Sequence, residues 1–510
     1  MDSRNIGETR RGDEKIVGQR RVGKCENSRE IASTQGSVSH CGSLTRHGLL
    51  KSVSQRPPLQ QQANLKTSGA DLEIGKDSFG GFSILAGRAR RCSPRGLWCV
   101  SKDHSQSEGI VVADARRVLI AGAGPVGMVA AATLAKKGIP VTLLEAASDL
   151  STESRASTFH PPTLDMLEDI GVAKDLIAQG LIAPTVQYRS TEGPIANFDF
   201  GQISDLTGHP YRLQCEQYKL TRIIARTYGS DPHFRIEFDA EILEAGQGEH
   251  GVSVTVRKPD GSIERREGLW LIGADGARSA VRKSIGITFD GFTWPERFLV
   301  VSTRFDFLKI FPDLASVSYV ADPVQWYFLL RVPGMWRAMF PIAPDVPDEE
   351  AATRKYGANT LARHFAMAAT APIDHVTLYR VHQRVAATFR SGRVFLAGDA
   401  AHINNPLGGM GMNGGIHDVV NLCGRLTKVW RREADPSELD RYDRQRRLVT
   451  LEYVQKHTIE NKRNLESRDP REQQSFRTEM ARTAANPELA RNYLMKISML
   501  ASLKRAAELG

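Results

Sequence analysis

Cysteine is scarce in this chain. Six occur in 510 residues, and four of them (Cys25, Cys41, Cys92 and Cys99) fall in the first 110. The other two, Cys215 and Cys423, are too few to make a disulfide framework in a body of this size, and neither belongs to a C-x-x-C pair. A reducing, cytoplasmic compartment is expected, with both thiols as small buried hydrophobes. A secretory signal is also missing: the opening "MDSRNIGETRRGDEK" has no apolar core. One long run lacks charge, the 18 residues "VLIAGAGPVGMVAAATLA" from Val118 to Ala135. Its three glycines and proline, after a strand-like start, read as strand, turn and helix, so no membrane span is expected. A metal motif is missing too. His402 and His417 lie 15 residues apart with no third ligand at a supporting offset, and no metal site is expected.

The formal charge of +10 suggests a nucleic-acid binder only until it is mapped. Residues 1–110 carry 18 Lys and Arg against 11 Asp and Glu, leaving +3 for the other 400. No basic footprint marks the body, and no nucleic-acid partner is expected. The first 114 residues are rich in Ser, Gly, Gln and Arg without a sustained apolar period. They read as a disordered extension, with the working protein beginning near Val111 or Val112. "GRARRCSPRG" is Arg-rich, but the acidic residues argue against a transit peptide.

Residues 117–145 read as strand, glycine turn, helix and strand. "RVLIAGAG" is a buried-strand run, "PVGMVAAATLAKKG" an Ala-rich helix and "IPVTLLE" a second strand. Gly122, Gly124 and Gly127 have the spacing G-x-G-x-x-G. The first permits a tight turn, the second leaves room for a pyrophosphate, and the third lets helix and strand approach. The helix start offers free N–H groups to phosphate. Glu145, 18 residues beyond Gly127, is placed to accept from a ribose diol. FAD and NAD satisfy this pattern equally.

Two later stretches repeat the strand-into-turn theme. "LWLIGADGARSAVRKSIGI" runs into Asp275-Gly276, and "GRVFLAGDAAH" runs into Gly398-Asp399. The glycine-rich "NNPLGGMGMNGG" follows, and then a helix with an apolar face of Ile416, Val419, Val420, Leu422, Cys423 and Leu426.

In this order the three motifs resemble the class A FAD-dependent aromatic monooxygenases, with the p-hydroxybenzoate hydroxylase-like fold, over about residues 115–465. The resemblance implies an α/β protein: a discontinuous Rossmann-like FAD-binding domain (115–185, 212–290 and 375–440), an antiparallel-sheet substrate domain (186–211 and 291–374) and C-terminal helices (441–510). It implies that Gly122, Gly124 and Gly127 line the pyrophosphate, with Arg155 beside it, and that Glu145 holds the adenosine ribose. Gln217, with Gln214 as the alternative register, contacts the flavin. Asp275 and Gly276 form the Asp-Gly pair serving FAD and NAD(P)H, and Asp399 holds the ribityl chain. Pro406 through Asn413, including Gly411 and Met412, border the isoalloxazine; Met410 and Met412 replace polar residues of some relatives. The implied activity is hydroxylation of a phenolic small molecule by NAD(P)H and molecular oxygen through a flavin hydroperoxide. The competing readings are a related FAD enzyme (epoxidase, reductase or halogenase) and a flavin-binding protein without turnover.

Residues 296–345 alternate apolar and polar as antiparallel strands do. Tyr319, Trp326, Tyr327, Phe328, Trp336 and Met339 are candidates to line a substrate cavity. Tyr319, Tyr327, His160 and His402 are candidates to deprotonate the substrate.

Overall fold

The computed structural model describes residues 116–510 except Ser154, Arg155, Pro323, Val324 and Arg468. The expected N-terminal extension and Arg155 therefore lie outside the described residues.

The strand Val118–Ala121 is buried at every position and is followed by the helix Pro125–Ala135 and the strand Val141–Leu144. Burial on both faces explains why these strands read as unbroken apolar runs. The full sheet has the order 390–391, 394–396, 270–273, 118–121, 141–144 and 234–237. It is parallel except for the outer hairpin. The helices Pro125–Ala135, Gln217–Tyr228 and Met410–Trp430 pack together against it. A three-stranded antiparallel sheet (241–247, 252–257 and 263–268) turns Val252, Val254 and Val256 into the same core.

The larger sheet has eight strands in the order 402–403, 373–386, 289–303, 335–342, 327–332, 317–320, 185–189 and 194–199. All neighbours are antiparallel except 317–320 with 185–189. The strand Ile373–Ala386 belongs to this sheet along its whole length, so the expected boundary at residue 375 falls inside it.

Period-2 alternation gives the sheet two apolar faces. One carries Tyr188, Phe198, Tyr319, Trp326, Phe328 and Met339, and it is covered by Leu407 and the helices Pro470–Ala485 and Pro487–Ile497. The other carries Tyr327, Trp336 and Phe340, and it is covered by the helix Arg354–His364 and Phe365. Among the described residues no helix is long and apolar enough to cross a membrane.

Candidate active site

Three turns meet at the carboxyl edge of the parallel sheet. Gly122 N–H donates to Leu144 O (2.8 Å), Ala274 N–H to Ala121 O (2.9 Å) and Ala397 N–H to Gly273 O (2.9 Å). These bonds stitch the ends of four neighbouring strands into one rim, the place where open α/β sheets bind ligands. Residues nearly 280 positions apart, Gly122 and Asp399, thereby share an edge.

Each of the three early glycines is required for its own reason. Gly122 has φ +91°, and a Cβ there would lie 2.7 Å from Ala274 O. A Cβ on Gly127 would collide with Gly122 O. A Cβ on Gly124 would meet nothing within 4 Å, so its bareness serves the space beyond the chain. Gly124 caps the helix Pro125–Ala135 without a side-chain bond, leaving the N–H groups of Val126 and Gly127 without intrahelical acceptors. The carboxylate of Glu145 accepts from Ala123 N–H (2.7 Å) and Ala147 N–H (3.0 Å). It braces the glycine loop and keeps lone pairs for a further donor.

At the second turn, Oδ2 of Asp275 accepts from Val281 N–H (3.1 Å), while its buried Oδ1 has no partner. Gly276 follows at φ +75° with open space about its Cα. Arg282, in the quoted motif but without a role there, is a clamp. It donates to Ala277 O and Ala400 O, both at 2.8 Å, and lies 3.9 Å over the Phe289 ring. It ties the second turn to the third.

Asp399 is exposed within the one-turn helix Gly398–Ala400. Gly398 has φ +58° and packs on Val126. Behind it lies a buried network: Asp418 accepts from Gly398 N–H (3.1 Å), His402 Nε2 (2.8 Å) and Arg446 Nε (2.8 Å). Burial alone would raise the Asp418 carboxyl; His402 and Arg446 more than offset it and hold it at about 2. His402 is thus a fully buried tie behind the turn.

The helix Met410–Trp430 starts at Gly409, which is left-handed at φ +67°. Pro406 is exposed, and Gly411 and Met412 are half-buried in the first turn. Met412 packs against the core of the parallel sheet, and Met410 packs with Val454 and Met499. Asn413 is fully buried. It donates to Thr158 O (2.8 Å) and Gly409 O (2.6 Å) and accepts from His160 N–H (2.9 Å). Its side chain is consumed by the fold, so only backbone groups remain for a ligand. Gln214 is fully buried with Oε1 taken by Thr158 Oγ1 (2.9 Å). Gln217 is half-buried at the start of its helix, while the buried Nε2 of Gln214 has no hydrogen-bond partner among the described residues.

The candidate substrate residues divide by strand phase. Tyr319, Trp326, Phe328 and Met339 share the face covered by Leu407, and Tyr319 Oη accepts from Gly408 N–H (3.0 Å). Tyr327 and Trp336 point to the opposite face and are withdrawn as cavity residues, Tyr327 also as a base. His160 reaches the same loop: Nε2 donates to Gly408 O (2.9 Å), leaving Nδ1 as a lone pair without a partner. Three residues at this face carry no signal in the linear sequence. Tyr188 stacks on Tyr319 at 5.1 Å and meets Tyr493 Oη at 3.0 Å. Arg212 is 2% exposed and donates to Ile497 O (3.1 Å), and among the described residues it has no carboxylate partner.

Buried neutral histidines make the fold acid-sensitive. Burial, reinforced by Arg446 for His417 and by Lys496 for His457, drives each down to about 3 from 6.5. The unfolded chain takes up these protons near 6.5, whereas the folded protein resists until about 3. Stability therefore falls as pH drops through that window, by up to about 1.4 kcal/mol per pH unit per histidine. Urea midpoints are expected to be lower at about pH 5 than at about pH 7.5; equal midpoints would contradict the assignment.

The family described as "FAD binding domain" matches residues 115–457. The chain is 35% identical over 359 residues to para-nitrophenol 4-monooxygenase of Pseudomonas sp. (strain WBC-3), covering 69% of this chain and 88% of that one. It is 30% identical to pentachlorophenol 4-monooxygenase of Sphingobium chlorophenolicum, covering 66% and 63%. The crystal structure of p-nitrophenol 4-monooxygenase from Pseudomonas putida DLL-E4 superposes with a TM-score of 0.71 at 31% identity, covering 76% of this chain and 98% of that one.

Proposed function

The chain belongs to the family of FAD-dependent aromatic-ring monooxygenases, and from that premise we propose that it hydroxylates an acidic phenol, held as its phenolate, with NADH or NADPH and molecular oxygen. The observation that carries the reading is the meeting of three glycine or acid turns on one sheet edge, opposite an aromatic wall.

The residues present fit FAD. Open space at Gly124, the free N–H groups behind it and the partnerless Oδ1 of Asp275 all call for a polar ligand. Gly122, Gly124 and Gly127 take the pyrophosphate, with Arg155 as its charge partner. Glu145 takes the adenosine ribose and Asp399 the ribityl chain. Asp275, Gly276 and Gln217 flank the cofactor, and backbone from Pro406 through Gly411 and Met412 to Asn413 lies along the isoalloxazine. When bound, FAD accepts hydride from the nicotinamide and activates oxygen for insertion into the ring.

The chain's own task is placement. Tyr319 and His160 hold Gly408 from either side, fixing the loop that separates cofactor from substrate. The apolar face of Phe198, Phe328 and Met339 keeps water from the reacting carbon. Arg212 supplies a buried positive charge that has no carboxylate partner among the described residues, which favours an anionic phenol over a neutral one. The substrates named for the two relatives, nitrophenol and pentachlorophenol, are phenols acidified by electron-withdrawing groups. The two described cysteines are buried free thiols, which supports a reducing, cytoplasmic setting.

The test is a panel of phenols of graded acidity, followed by NADH and NADPH oxidation and by product analysis. Stimulation is expected to be greatest for phenols ionised at the assay pH, with hydroxylated product matching the nicotinamide consumed. Peroxide formation without hydroxylated product, across the panel, would sink the proposal.

A further inference from the structure

A cavity of about 370 Å³ opens between the helices Met410–Trp430, Asp440–Val449 and Leu500–Glu508. None of the residues assigned to cofactor or phenol lines it. Its polar wall carries Arg425, Arg441 and Arg446 with the neutral His417 and the amides of Asn421 and Gln445, the latter accepting from Arg425. Two carboxylates answer these three guanidiniums. Glu438 takes Arg425 and Arg441, and Asp418 takes Nε of Arg446. Two charged donor positions remain over: Nη1 of Arg446 and Nε of Arg441 have no hydrogen-bond partner among the described residues, and neither has Nδ1 of His417, which donates or accepts according to its tautomer. Arg446 and His417 are each only 1% exposed. A charged donor left without an acceptor at such depth is costly, and a ligand that arrives with acceptor oxygens removes that cost. The facing wall, Leu503 and Ala506, is apolar.

We propose that this cavity binds a small organic carboxylate with an apolar body, its oxygens taken by Arg446 and Arg441 and its hydrocarbon lying on the last helix. An inorganic anion would leave the apolar wall uncovered, and a neutral hydrocarbon would leave the guanidiniums unanswered. The volume of about 370 Å³ admits a small organic molecule.

The site is joined to the flavin-side rim. Arg446 holds one oxygen of Asp418, and the other oxygen holds Gly398 N–H, the start of the turn that carries Asp399. A carboxylate on Arg446 shares its charge with Asp418, loosens that grip and lowers FAD affinity. This coupling rests on the assignment of the turn to FAD; the binding itself does not.

Calorimetric titration of cyclohexanecarboxylate into the FAD-loaded protein, with 4-nitrophenol present and no NAD(P)H, tests the site. One binding event is expected. Ala507→Trp, at an exposed position on the cavity rim, should abolish it. Arg441→Gln should weaken it about tenfold, the loss of one charge-assisted hydrogen bond. Both variants should keep any phenol-stimulated NAD(P)H oxidation of the parent. Absence of binding, displacement by 4-nitrophenol, or an isotherm unchanged in both variants overturns the proposal. A protein that hydroxylates no phenol, yet loses this isotherm in Ala507→Trp, would separate failure of the monooxygenase reading from failure of this one.

Discussion

Gly127→Ala is expected to lose both FAD and stability, whereas Gly124→Ala loses FAD alone. The two substitutions add the same methyl group three residues apart. At Gly127 the new Cβ runs into the carbonyl of Gly122, a backbone atom in a turn already held at φ +91°. Backbone cannot swing aside as a flexible side chain does, so the helix Pro125–Ala135 must lift from the turn. Overpacking of this kind costs about 1–3 kcal/mol. A lifted helix also withdraws Val126 and Gly127 N–H from the phosphate position. Cofactor binding would have to restore the strained geometry, weakening FAD about ten- to a hundredfold. At Gly124 the φ of −68° suits alanine, and nothing stands within 4 Å of the added carbon. The apo protein should melt with the parent, but the methyl occupies space assigned to the pyrophosphate. Melting curves of the apo proteins and FAD dissociation constants check both halves. If Gly124→Ala retained FAD as the parent does, the pyrophosphate would have to lie elsewhere.

That contrast marks what the linear sequence conveys. The turns at Gly122, Asp275 and Asp399 are legible because each follows a short run of strand residues buried on both sides, and the α/β class follows from them. The adjacency of the strands is physical information of another kind, carried by pairings such as Leu271 with Val394 across more than a hundred residues. Alternation in 296–345 announces a two-faced sheet without saying which face meets the glycine loop. Tyr319 and Tyr327 therefore look equivalent in sequence and are opposite in space. Asn413 sits in the correct loop, but its amide is spent on Thr158, Gly409 and His160, which no spacing rule foresees. Arg212 and the Tyr188–Tyr493 contact are silent for the same reason. Their chemistry arises only when the last helices close over the sheet.

Asp418→Ala is expected to be the most damaging single change outside the glycine turns. The carboxylate is fully buried and gathers three donors from distant segments: Gly398 N–H, His402 Nε2 and Arg446 Nε. Its stabilisation is complete above its ordinary value of 3.8 and is lost only as pH falls through about 2, so it is fully present at neutral pH. Removing it leaves the Arg446 guanidinium buried without a carboxylate and strips the Gly398 turn of its anchor. Breaking a buried pair in this way costs about 3–5 kcal/mol, which lowers Tm on the order of 5–10 °C. FAD should dissociate faster, because Gly398 no longer fixes the approach of Asp399. The double variant Asp418→Leu/Arg446→Met separates charge from shape. Replacing both partners by apolar groups removes the stranded cation, so Tm should recover most of the loss. The Gly398 N–H still lacks an acceptor in that variant, and rapid FAD release should persist. Recovery of cofactor retention together with Tm would show that Asp418 acts only by neutralising Arg446; recovery of Tm alone assigns it to the turn.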